Sequence, residues 1–147
     1  MPGNTRRVYL PQGVWTNLET DEVFTGRQTI SVDTASLPVF ARNGAIVPLD
    51  SPGGMALHYF PKLGAEFFLI ENDGADWTQI HAAPAGDEMR LEIESKVARQ
   101  YQWVVHHVDR PEEVPGHTWN YDRRRRQLQV RVRVGKSEDS VINLVWP

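Results

Sequence analysis

The sequence predicts an all-β protein built as an antiparallel sandwich of about a dozen short strands, with little or no helix. Three observations predict it. Leu128, Val130, Val132 and Val134 alternate with Gln129, Arg131 and Arg133, a period of two that gives a strand one buried and one solvated face. Met89, Leu91 and Ile93 alternate in the same way with Glu88, Arg90, Glu92 and Glu94. Turn residues punctuate the chain at Pro11-Gln12-Gly13, Asn43-Gly44, Ser51-Pro52-Gly53-Gly54, Asp73-Gly74 and Pro115-Gly116, where glycine and asparagine reach backbone angles that other residues avoid. No window carries an apolar stripe at helical spacing, and short strands at regular turn intervals favour a sandwich over a parallel sheet.

Taken in order, the strand candidates are Val8–Leu10, Val14–Asn17, Glu22–Phe24, Thr29–Val32, Pro38–Phe40, Ala45–Val47, Leu57–Phe60 and Glu66–Ile70. The Met89–Ile93 alternation follows. Tyr101, Trp103 and Val105 then alternate with Gln102, Val104 and His106, a strand apolar on both faces near its end. The Leu128–Val134 alternation and Val141–Trp146 complete the set. Ser51-Pro52-Gly53-Gly54 is the internal boundary, separating a partial β-domain, 1–50, from a β-sandwich domain, 55–147. The first part is too small to bury a self-sufficient core and is expected to need a partner surface.

Composition limits the function classes. The 147 residues fit one ordinary domain or two small ones. A net charge of −3 gives no attraction to nucleic acid or to an anionic membrane. The absence of cysteine excludes disulfides and thiolate metal sites. The N-terminal MPGNTRRVYL has no apolar signal core, and no apolar run approaches the roughly 18 residues of a membrane span. The compartment is not fixed by any of this.

The first part carries a more specific pattern. Arg7-Val8-Tyr9-Leu10-Pro11 is followed by Gly13, Trp15 and Thr25-Gly26, and then by Pro38-Val39-Phe40, Arg42, Gly44-Ala45-Ile46 and Pro48-Leu49. In order and spacing this resembles the segment that follows the catalytic barrel in α-glucosidases and α-xylosidases of glycoside hydrolase family 31. Leu57-His58-Tyr59-Phe60-Pro61, then Phe67 to Gly74, Tyr101 to Val108, Pro111 to Val114, Trp119 to Asp122 and Leu128 to Val134 are similar to the distal C-terminal domain of the same enzymes. Trp15-Thr16-Asn17-Leu18 stands where the family usually has Trp-Tyr-Asp-Phe. The resemblance implies a non-catalytic region that braces the barrel of a parent α-glycosidase, with no cofactor and no catalytic residue of its own. It also places the barrel, and the strand that closes the first β-domain, ahead of the segment seen here. An uncovered sheet edge is therefore expected, which recruits a strand from another chain or leaves the first part disordered.

Individual residues also admit other readings. A free-standing carbohydrate-binding module would need an exposed aromatic platform; Trp15, Trp77 and Trp119 are the candidates, against amphipathic packing at a domain interface. A small independent hydrolase would need two carboxyl groups about 5–5.5 Å apart for a retaining mechanism. The sequence-adjacent pairs Asp21/Glu22, Asp87/Glu88 and Glu112/Glu113 read instead as solvated surface, because strand neighbours point to opposite faces. Glu71, Asp73 and Asp76 place oxygen ligands around Gly74 as a calcium loop would, but a tight Asp73-Gly74 hairpin turn is the preferred reading. The five histidines include His106-His107, which point apart and read as ordinary hydrogen-bonded residues rather than joint metal ligands. Arg123–Arg126 reads as a solvated hairpin turn, with cross-strand pairing of Arg131 and Arg133 to Glu88–Glu94 as a further alternative.

Overall fold

The computed structural model describes residues 5–18, 20–33, 39–52, 54–62, 64–71, 76–95, 97–135 and 139–147. Fourteen strands and no helix are found among them. The chain divides into two compact units, Met1–Asn43 and Gly44–Pro147.

The first unit holds two small sheets. Strands β1 (Thr5–Leu10) and β4 (Gln28–Asp33) pair antiparallel, with Tyr9 opposite Thr29. Strands β2 (Val14–Asn17), β3 (Val23–Thr25) and β5 (Phe40–Arg42) form a second sheet in the order β3-β2-β5. The backbone crowds at the end of the β2–β3 hairpin. A Cβ on Gly26 would stand 1.8 Å from the Pro11 carbonyl oxygen. Only glycine permits that approach, which gives the Thr25-Gly26 pair a physical reason.

The second unit is a sandwich of two sheets. One has five strands in the order β12-β13-β11-β7-β6: β6 (Ile46–Ser51), β7 (Gly54–Tyr59), β11 (Arg99–His106), β12 (Thr118–Asp122) and β13 (Gln127–Val134). The other has four in the order β14-β10-β9-β8: β8 (Ala65–Glu71), β9 (Asp76–Ala85), β10 (Glu88–Glu94) and β14 (Asp139–Val145). Neighbouring strands are antiparallel except β7 and β11, which run parallel with Leu57 opposite Trp103. The expected boundary falls instead on the β6–β7 hairpin, where Ser51 pairs with Gly54. The chain passes from the first unit to the second earlier, between Asn43 and Gly44.

The period-two patterns find the core. Leu57, Tyr59, Tyr101, Trp103, Val105, Leu128 and Val130 from one sheet meet Ile80, Ala82, Met89, Leu91, Ile93, Ile142 and Leu144 from the other. All of these are buried. Each fully buried side chain of this size contributes roughly 1.5–3 kcal/mol relative to exposure. The prolines obey the rule that a residue without an N–H avoids a doubly paired position. Pro48 lies on the edge strand β6. Pro84 lies in β9 beyond Ala82, the last β9 residue paired to β8, so its missing donor faces an open side.

Candidate functional site

Every second residue of β11 turns into the core, so Gln102, Val104 and His106 occupy the opposite face of the five-stranded sheet. There they meet residues of like parity from both neighbours. His58 of β7 is opposite Val104, and Gln127 and Gln129 of β13 are opposite His106 and Val104. The result is a row of polar side chains crossing three strands. His106 Nε2 lies 2.9 Å from His58 Nδ1. His106 Nδ1 lies 3.3 Å from Gln127 Nε2. Gln129 Nε2 donates to Gln127 Oε1 at 3.4 Å, and Gln102 Nε2 donates to Gln129 Oε1 at 3.3 Å.

The row has a single polarity. An amide N–H can only donate, so Gln127 makes His106 Nδ1 an acceptor, and the neutral ring then carries its proton on Nε2 and donates it to His58. Each donor in the chain polarises the next. The Phe60 ring stacks on His106 with centroids 4.2 Å apart and planes 13° apart, adding an apolar cover. His106 is 2% exposed. Burial, reinforced by His58, His107 and Arg125, pushes its pKa down to about 3. The ring is therefore neutral at ordinary pH. Its neighbours in this row are imidazole and amide groups, which lack the carboxyl pair of glycosidic acid catalysis. The arrangement satisfies and orients buried polar groups.

His106 and His107 do not point apart as strand neighbours would: their ring centroids are 6.1 Å apart, and both rings lie beside Phe60. His106 closes β11, and His107 lies beyond it with a left-handed φ of 59°. What residue-by-residue reading missed is the pairing of His58 with His106. The signal was present, since each directly adjoins a core residue, Leu57 or Val105, and so lies on the far face of its strand. Joining them required the parallel β7–β11 register.

The three tryptophans proposed for sugar stacking belong to three different sheets. Trp15 is half-buried in the first unit, its Nε1 donating to the Pro11 carbonyl at 2.9 Å. Trp77 is 38% exposed on β9 of the four-stranded sheet. Trp119 is on β12 of the five-stranded sheet, packed against the core, with the Arg110 guanidinium carbon 5.2 Å from its ring centroid. Trp77 and Trp119 thus belong to different sheets.

Of the calcium-loop residues, Glu71 and Asp76 are the paired ends of β8 and β9, and Asp73 lies outside the described residues. Among the described residues no three His, Asp or Glu side chains gather as a metal site. Asp87 and Glu88, like Glu112 and Glu113, are exposed, as is Glu22, while Asp21 is half-buried. Arg123–Arg126 forms the turn between β12 and β13, with Asp122 Oδ1 accepting from the Arg124 and Arg125 backbone N–H groups. The pairing expected between Arg131 or Arg133 and Glu88–Glu94 is corrected: β13 and β10 belong to different sheets, and Arg90 and His81 are the groups beside Glu92.

Residues 1–47 match the family model described as the glycosyl hydrolase family 31 C-terminal domain. The chain resembles the C-terminal part of family 31 glycoside hydrolases. Its fold recurs in a Flavobacterium johnsoniae GH31 dextranase complexed with isomaltotriose, at 20% identity and a TM-score of 0.79, covering 99% of this chain and 24% of that one. It recurs in the cycloalternan-forming enzyme from Listeria monocytogenes in complex with a pentasaccharide substrate, at 19% identity and a TM-score of 0.82, covering 99% of this chain and 17% of that one. A third likeness is the α-1,4-glucan lyase of Gracilariopsis lemaneiformis, at 14% identity and a TM-score of 0.70, covering 98% of this chain and 21% of that one. No curated protein matches the sequence. The chain thus spans less than a quarter of the length of these enzymes. Among the described residues no helix is long and apolar enough to cross a membrane.

Proposed function

We propose that this chain is the non-catalytic C-terminal β region of a family 31-like α-glycosidase, and that it braces the catalytic barrel of that enzyme. One observation carries the reading: the family 31 C-terminal domain match over residues 1–47 sits in a chain whose fold follows GH31 enzymes over 99% of its length. The two units correspond to successive β-domains in that scheme. The second unit folds around its own apolar core. The first has two sheets of two and three strands, a scale at which a stable core calls for a partner surface.

The partner surface lies in the first unit. Among the described strands β1 pairs with β4 alone, so one side of β1 offers unpaired backbone groups to a further strand. Tyr9 on that strand is 61% exposed and Val23 on β3 is 50% exposed, apolar surface of the kind that a neighbouring domain covers. The barrel is the natural occupant, and a second copy of the chain would take the same edge in its absence.

The test is a complementation. A family 31 α-glucosidase barrel lacking its own C-terminal region is mixed with this chain, and activity on aryl α-glucosides and thermal stability are followed. The expected result is a gain in both with the mixture and no hydrolysis of aryl α-glucosides or α-xylosides by the chain alone. Hydrolysis by the chain alone overturns the non-catalytic assignment. A barrel unaffected by the chain overturns the bracing role.

A further inference from the structure

At one end of the second unit four strands begin or finish together, and their termini line an open cleft of about 620 Å³. Gln100 is the second residue of β11, Thr118 opens β12, Arg131 and Arg133 lie in the last half of β13, and Asp139 and Ser140 open β14. His117 completes the polar lining. The volume falls within the roughly 300–1,000 Å³ of small-molecule sites.

The chemistry of the lining is one-sided. Arg131 and Arg133 are two apart on a strand, so both leave the same face, about 7 Å from each other along the backbone. Register sets Thr118 and Gln102 on either side of Arg131, and Gln100 beside Arg133. Arg131 and Arg133 are both exposed residues, and neither has an ion-pair partner among the described residues. Among the described residues Asp139 is the one carboxylate in the lining, set against two permanent positive charges. The remaining polar groups are hydroxyl, amide and imidazole, all able to donate a hydrogen bond. Two like charges held on one face repel each other, and a shared counter-anion relieves that repulsion while taking the paired N–H groups each guanidinium presents.

We propose that this cleft binds the oxyanion head group of a small ligand, with Arg131 and Arg133 as the paired donors and Thr118, Ser140 and Gln100 as hydrogen-bonding neighbours. The assignment is separate from any role in bracing a barrel. Asp139 limits affinity, because it competes with the ligand for the same positive field.

The experiment is a 1H–15N titration of the intact chain with sodium phosphate and, in a second arm, sodium acetate, each against sodium chloride at matched ionic strength. Saturable shifts confined to the backbone amides of Gln100, Thr118 and Ser140 are expected with at least one of the two anions. The tighter of the two identifies the head group as tetrahedral or planar. The Arg131→Gln/Arg133→Gln double variant, altered at exposed positions only, is expected to weaken binding by at least about tenfold. Asp139→Asn is expected to tighten it several-fold. Shifts that chloride reproduces, that never saturate, or that persist unchanged in the double variant overturn the proposal and leave the two arginines as solvated surface.

Discussion

His58 Nδ1 and His106 Nε2 stand 2.9 Å apart although 48 positions separate them in the chain. The pair exists because β7 and β11 run parallel, and it lies within a row whose buried ring is held neutral chiefly by burial. His106 titrates at about 3 in the folded protein, against an ordinary value of 6.5. Between these values the unfolded chain binds a proton that the folded chain refuses. Stability therefore falls as pH drops from about 6.5 towards 3, at up to about 1.4 kcal/mol per unit, and the loss from this residue levels off below that range. Urea unfolding of wild type and His106→Gln across this interval tests it. The variant is expected to be less stable at neutral pH and to show a shallower slope. Equal slopes in the two proteins would remove His106 as the cause.

The second prediction concerns the β6–β7 hairpin. Gly54 has a φ of +109°, and a Cβ there would approach the Gln100 carbonyl oxygen to 2.3 Å. That oxygen belongs to the backbone of β11 and cannot rotate away. Gly54→Ala combines backbone strain with a clash between two paired strands, and a cost of about 3 kcal/mol or more is expected. Equilibrium denaturation measures it. A loss below about 1 kcal/mol would mean that the β7–β11 seam is pliable.

Much of the second unit was legible because its patterns are local. Met89, Leu91 and Ile93, and Leu128 through Val134, alternate cleanly, and their inward members are buried. Strand β9 was not read. Its inward residues are Thr78, Ile80 and Ala82, and its C-terminal half contains Pro84 and three alanines, all poor strand formers. The alternation was there, carried by residues too small or polar to register. Strand β12 was passed over because Trp119 and Tyr121 give only two apolar positions in five residues. The hairpin at Ser51–Gly54 looked like a linker because Pro and Gly mark both, and only the partner strand tells them apart. The His58–His106 row depends on a parallel register that no local pattern encodes, and the Arg131–Arg133 cleft needs four strand ends to meet.

The alternation itself yields the third prediction. Leu91 is fully buried between the sheets, whereas Val141, on the neighbouring strand β14, is 44% exposed. Leu91→Ala deletes core volume that neighbours refill only in part, and a loss of about 2–5 kcal/mol is expected. Val141→Ala is expected to stay within about 0.5 kcal/mol. Comparable losses at the two positions would mean that the outer side of β14 is covered in solution.

The last prediction sets two tyrosines on the core face of one sheet against each other. The Tyr121 hydroxyl donates to the Val108 carbonyl at 2.7 Å. The Tyr101 hydroxyl is buried and has no hydrogen-bond partner among the described residues. Removing a bonded hydroxyl loses its net contribution and leaves an acceptor unpaired, whereas removing an orphaned one relieves a desolvation penalty of roughly 1–3 kcal/mol. Tyr121→Phe is therefore expected to destabilise by about 1 kcal/mol. Tyr101→Phe is expected to be neutral or stabilising, the gain being reduced by the small void that the oxygen leaves. Thermal and urea unfolding of both variants give the comparison. A clear loss of stability for Tyr101→Phe would show that its hydroxyl is satisfied in solution.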